Sequence, residues 1–109
     1  MDASEFIVIL STCGSWDEAE RIAEALVTDG AAACVNIVEK VTSIYRWQGK
    51  VEKGTEALLI IKTRAALAGQ VEKTIKAMSS YECPEVIVLP IVAGSAEYLR
   101  WIDEATSPA

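Results

Sequence analysis

The stretch "CVNIVEKVTSIYRWQGKVEKGTEALLIIKT", residues 34–63, decides the fold. Val35, Ile37, Val41, Tyr45 and Trp47 fall on one alternating phase, which predicts a single strand over Cys34–Trp47 with a bulge near Glu39 and Lys40. "QGK" at 48–50 is a turn signal, and the chain returns through a second long strand whose firmest part is Ala57–Thr63. Fourteen residues in the first arm far exceed the ~5–6 of an ordinary strand. A hairpin this long overhangs a small domain, and its free end needs cover.

Working outward, "FIVIL" (Phe6–Leu10) is a continuous apolar run that predicts a central strand. Ser15 and Glu18 form a capping box for a helix whose stripe is Ala19, Ile22, Ala23 and Leu26, stopped by Gly30. Beyond the hairpin, Leu67, Val71, Ile75 and Met78 share one face of a helix over 64–78. "VIVLPI" (86–91) predicts a fourth strand, at an edge or ending at Pro90 because proline donates to no ladder. Ser95 caps a third helix in "SAEYLRWIDEA", and the tail "TSPA" is expected to fray.

The order β-α-β-β-α-β with one added helix predicts an α+β fold, a ferredoxin-like sandwich with a long second hairpin, over one domain of residues 1–109. First and third strands are expected at the centre, second and fourth at the edges. Apolar residues make up 51% of the chain, a surplus that points to an oligomer interface.

Composition narrows the chemistry. A net charge of −6 repels nucleic-acid backbones, and the central strand "ALLIIKT" has no aromatic residue on which a base could stack. With no histidine in the chain, histidine triads are excluded. Cys13 stands alone after the first strand, so a paired-thiolate metal motif is missing there. "STCGS" also lacks the basic residue of a phosphate cradle. Cys34 reads as a small core residue; Cys13 and Cys83 read as lying in connections, where a nucleophile or metal ligand would sit. Three cysteines make no disulfide framework. The N-terminus has no basic signal-peptide start and no apolar run reaches the ~20 residues of a membrane helix. A cytoplasmic protein without a membrane partner is expected.

Tyr45, Arg46 and Trp47 stand just before the turn. Aromatic residues at a hairpin tip are unfavourable unless something buries them, either a partner subunit or each other across the hairpin.

Together "AAACVNI", "SIYRWQGKVE", "EALLIIKT", "YECPEVIVLPI" and "YLRWI" resemble the CutA family of divalent-cation-tolerance proteins, in order and over nearly the whole chain. The resemblance implies a homotrimer whose edge strands pair between subunits, with Tyr45, Arg46 and Trp47 at the trimer interface. It implies a role in tolerance of copper and other divalent metals, binding or regulatory rather than catalytic, with no required cofactor. It implies an inter-subunit pocket lined by Trp47, Lys62, Tyr81 and Glu85. The metal ligands of copper-binding members fall on Ser11, on the segment Met78–Ser80 and on Glu85, and of these only Glu85 keeps its ligand type. Met78, Cys83 and Cys13 are the soft donors that, with Glu85, would replace the others for Cu(I). The alternative is a small-molecule sensor resembling the trimeric PII proteins, engaging a protein partner through its hairpin.

Overall fold

A computed structural model describes residues 2–107; Pro108 and Ala109, half of the tail expected to fray, lie outside the described residues. Four strands form one antiparallel sheet: β1 (Phe6–Cys13), β2 (Cys34–Trp47), β3 (Lys50–Arg64) and β4 (Ile87–Pro90), in the order β2-β3-β1-β4. The continuously apolar strands are central and the other two are edges, as the patterning predicts. The helices are α1 (Trp16–Thr28), α2 (Ala68–Met78) and α3 (Ala96–Thr106). α2 begins later than the apolar spacing predicts. β3 runs through Arg64, and a 3-10 turn at Ala65–Leu67 intervenes. Pro90 is the last residue of β4, where its missing N–H breaks nothing; the ladder resumes with the Ile91 amide donating to the Phe6 carbonyl at 3.1 Å.

Alternation along the central strands sorts side chains to two faces. Ile7, Ile9, Cys13, Ala57, Leu59 and Ile61 pack beneath α1 and α2 against Ile22, Leu26, Val71 and Ile75, giving the main core. Phe6, on the opposite phase, joins Ala33, Leu99 and Ile102 in a smaller cluster under α3. Arg64 clamps the end of that helix: Nε donates to Thr106 Oγ1 at 2.8 Å and an NH2 group to the Thr106 carbonyl at 2.9 Å. Beyond α3 no helix among the described residues covers this second face. Val8, Leu10, Leu58 and Ile60 lie there only part-buried, and Val38 is exposed.

The bulge falls where the sequence places it, but its effect on phase corrects the reading of β2. Val38 pairs with Leu58 and Val41 with Glu56, so Glu39 and Lys40 together oppose Ala57. Lys40 adopts φ 61°, the left-handed conformation that accommodates the extra residue. One inserted residue flips every later side chain to the other face. Val35 and Ile37 therefore face the helices, whereas Val41, Tyr45 and Trp47 face away from them. At the tip, Gln48 (φ 50°) and Gly49 (φ 80°) supply the two positive φ angles of a tight hairpin turn.

Candidate functional site

The phase flip builds a site. On the helix-free face, the outer half of the hairpin and the connection from α2 to β4 enclose a cavity of about 840 Å³. Tyr45, Trp47 and Glu56 line it from the hairpin, and Tyr81, Cys83 and Glu85 from the connection.

Two carboxylates pin that connection. The Ser80 amide donates to Glu18 Oε1 at 3.1 Å, and the Tyr81 hydroxyl donates to Glu56 Oε2 at 2.7 Å. Ser15 caps α1 as expected, its Oγ accepting from the Glu18 amide at 3.2 Å. The Glu18 side chain, however, reaches Ser80 across the fold instead of returning to its own cap. Glu18 is buried and its second oxygen, like Ser11 Oγ, has no hydrogen-bond partner. Tyr81 rests on Gly14, where a Cβ would stand 3.4 Å from the hydroxyl and 3.5 Å from the ring. Tyr45 lies toward Gly54, where a Cβ would stand 3.9 Å from its hydroxyl. Glycine in a strand commonly marks such an approach.

The electrostatics are one-sided. Glu56, Glu82 and Glu85 line the cavity and neither lysine nor arginine does. Burial, and then the charge of Glu56, hold the Glu85 carboxyl above its ordinary range. Burial, followed by the hydrogen bond to Glu56 and that residue's charge, raises the Tyr81 phenol well above its ordinary value, so it remains a donor.

The residues expected at the site separate into two groups. Trp47, Tyr81, Cys83 and Glu85 meet at the cavity, with Tyr45 beside them. Arg46 pairs with Val51 on the opposite face of the hairpin. Lys62 lies opposite Val8 and Cys34, six residues along β3 from Glu56, or about 20 Å at ~3.3 Å per residue. Met78 ends α2, partly exposed and outside the lining.

The two remaining cysteines exchange their expected places. Cys13 is not in a connection: it ends β1, is buried in the main core, and has its thiol pushed up to about 11 by burial, then by Glu18 and Glu56. Cys34 is not a core residue: it opens β2 part-exposed on the face away from α1 and α2, its Sγ 3.8 Å from Asn36 Oδ1. Among the described residues, no three or more Cys, Asp or Glu side chains are grouped to hold a metal ion. The set Glu85, Cys83, Cys13 and Met78 is thus not assembled as a ligand shell. Neither acid stands out in the sequence as a site residue, since Glu18 reads there only as the capping-box partner of Ser15. The one available signal was a lone acid, Glu56, immediately before the apolar run of β3.

Comparison with known proteins decides the family. The model of the "CutA1 divalent ion tolerance protein" family matches residues 7–105. The chain belongs to the CutA1 family. It is 46% identical over 99 residues to the divalent-cation tolerance protein CutA of Thermus thermophilus, covering 91% of this chain and 96% of that protein. The crystal structure of CutA from Xylella fastidiosa superposes with a TM-score of 0.93 at 38% identity, covering 95% of this chain and all of that one. The Thermus thermophilus CutA1 structure gives 0.91 at 45% identity, covering 94% and 99% of the two chains. This CutA1 chain spans about half of the longer plant relatives, such as the chloroplastic CutA protein of Arabidopsis thaliana, at 42% identity over 92% of this chain and 55% of that one. The ferredoxin-like α+β architecture is therefore that of CutA1 structures. Among the described residues no helix is long and apolar enough to cross a membrane.

Proposed function

We propose that the chain works as a homotrimeric cation-binding protein, regulatory rather than catalytic, with the acidic cavity as its ligand site. The observation that carries this reading is the cavity's charge: Glu56, Glu82 and Glu85 line it with no basic side chain among them. A cation entering there offsets the repulsion between Glu56 and Glu85. The divalent-cation tolerance named for the Thermus relative supports the same ligand charge.

Trimer formation is supported by the uncovered surface. Ile87, Val88 and Leu89 of edge strand β4 are all between 43% and 48% exposed, and Ile44 and Val51 near the hairpin tip are 70% and 68% exposed. The accessible surface of 6650 Å² exceeds the roughly 5,900 Å² typical of a compact monomer of this mass. Two bare sheet edges in one chain invite pairing between copies. Three free thiols fit residence in a reducing cytoplasm.

Native mass spectrometry during titration with Zn(II), Cu(II) and Cu(I) tests subunit number and cation binding together. The expected result is a trimer that takes up a metal ion and loses it in Glu56→Gln/Glu85→Gln. Carboxylates without imidazole hold Cu(II) weakly, so tight copper uptake is expected only as Cu(I), and is expected to fall in Cys83→Ser. A monomer, or metal uptake indifferent to both glutamates, contradicts the proposal.

A further inference from the structure

Two buried polar atoms, Ser11 Oγ and Glu18 Oε2, have no hydrogen-bond partner among the described residues. Their residues are 0% and 6% exposed, and the chain's own core buries them. Their surroundings therefore do not depend on what covers the helix-free face or the hairpin. A buried hydroxyl or carboxylate oxygen left without a hydrogen bond is costly, and native cores keep few.

Both atoms belong to the layer between β1 and the helices. Ser11 follows Ile7 and Ile9 on the inward phase of β1 and precedes Cys13 on the same phase. Glu18 stands in the first turn of α1, one residue before Ala19, which packs into the same cluster as Ile9 and Cys13. The charge of Glu18 adds to burial in raising the Cys13 thiol, so the carboxylate acts at the inward position next to Ser11. Ser11, Cys13 and Ala19 are all small, and an internal water needs such room as well as two to four polar partners.

We infer that an internal water site lies between β1 and the first turn of α1, where water hydrogen-bonds Ser11 Oγ and Glu18 Oε2. The water donates to the carboxylate and exchanges a second hydrogen bond with the hydroxyl. A metal ion suits the place less well. No three Cys, Asp or Glu side chains are grouped among the described residues, and the Cys13 thiol keeps its proton up to about 11. Glu18 Oε1 accepts from the Ser80 amide at 3.1 Å. The water thus extends one polar chain from the central strand, through Glu18, to the connection between α2 and β4.

A crystal structure of the unmutated protein, at a resolution that shows ordered water, tests the site without relying on any variant. The expected result is one water within ~2.5–3.0 Å of both oxygens. A direct bond between Ser11 Oγ and Glu18 Oε2, a metal ion there with Cys13 as a ligand, or no density between them overturns the inference. Ser11→Ala tests it in solution by the sign of its effect. Loss of a bridged hydroxyl is expected to lower the folding equilibrium about three- to tenfold in denaturant unfolding. An equilibrium unchanged or raised would mean an unbonded hydroxyl and would overturn the site. In the same variant the Ser80 amide is expected to exchange hydrogen about threefold faster, relative to the Leu26 amide at the far end of α1. Equal changes at the two amides would overturn the link from strand to connection.

Discussion

The two halves of the long hairpin, divided by the bulge at Glu39 and Lys40, obey different rules. In the inner half, Ala57, Leu59 and Ile61 alternate buried with part-buried neighbours and fill the space under α1 and α2. In the outer half, from Lys50 to Glu56, no residue is fully buried, and apolar Ile44 and Val51 stand in solvent. The inner half is held by its own chain. The outer half is paired strand to strand but has a cavity on one face and uncovered apolar surface near its tip, surface that the proposed trimer would cover. One inserted residue marks the change.

The sharpest way to break this contrast is to truncate a side chain on each side of the bulge. Leu59→Ala removes a fully buried leucine and is expected to cost about 2–5 kcal/mol in denaturant unfolding. Ile44→Ala is expected to change the stability of a single chain by less than about 0.5 kcal/mol, and to weaken assembly. Comparable losses of single-chain stability would show that the outer half is also self-supporting. A smaller effect is expected from Tyr81→Phe, which deletes the 2.7 Å bond to Glu56. The loss of a hydrogen bond to a charged acceptor is about 1.5–3 kcal/mol, at the low end for this half-exposed pair. Lys40→Gly acts in the other direction. Relief of a left-handed non-glycine residue is expected to stabilise by about 0.5–1 kcal/mol after glycine's own entropy cost. A destabilised Lys40→Gly variant would mean that the lysine side chain, not the bulge backbone, matters there.

The smallest effect is a pH response confined to the outer half. Because burial and Glu56 raise the Glu85 carboxyl, the folded chain binds its proton more readily than the unfolded chain does. Stability from this group therefore falls as pH rises from the ordinary glutamate value through the raised one, and stays lower above it. Glu85→Gln is expected to flatten that part of the profile, measured as denaturant midpoint against pH. A profile unchanged by the substitution would place Glu85 in ordinary solvent. Cation binding has the opposite slope and strengthens as Glu85 ionises.

Much of the fold was legible because its signals are local. Unbroken apolar runs marked β1 and the inner part of β3 as central, Pro90 marked an edge, and Ser15 and Ser95 marked helix starts. The phase of Tyr45 and Trp47 was not legible from residue spacing alone. Odd-numbered spacing continues through Val41 in sequence, while the bulge at Lys40 reverses it in space. The same limit applies to the cysteines. Cys13 continues the inward phase of Ile7 and Ile9, so the strand carries it into the core, whereas "STCGS" reads as a loop. Glu56 and Tyr81, 25 residues apart, meet only because the sheet brings the connection against β3. Thiol labelling checks this reversal: Cys83 and Cys34 are expected to react in the native protein, and Cys13 only on unfolding. Native labelling of Cys13 would contradict its place in the core.

Sedimentation velocity at micromolar concentration tests the central claim most directly. If the helix-free face and the outer hairpin are completed by copies of the same chain, the species must have three times the 11.8 kDa mass of one chain. Ile44→Asp, which puts a charge on the exposed tip, must then shift the distribution toward smaller species. A folded monomer of unchanged stability at that concentration would contradict the account, because the apolar surface beyond the bulge would then need no cover.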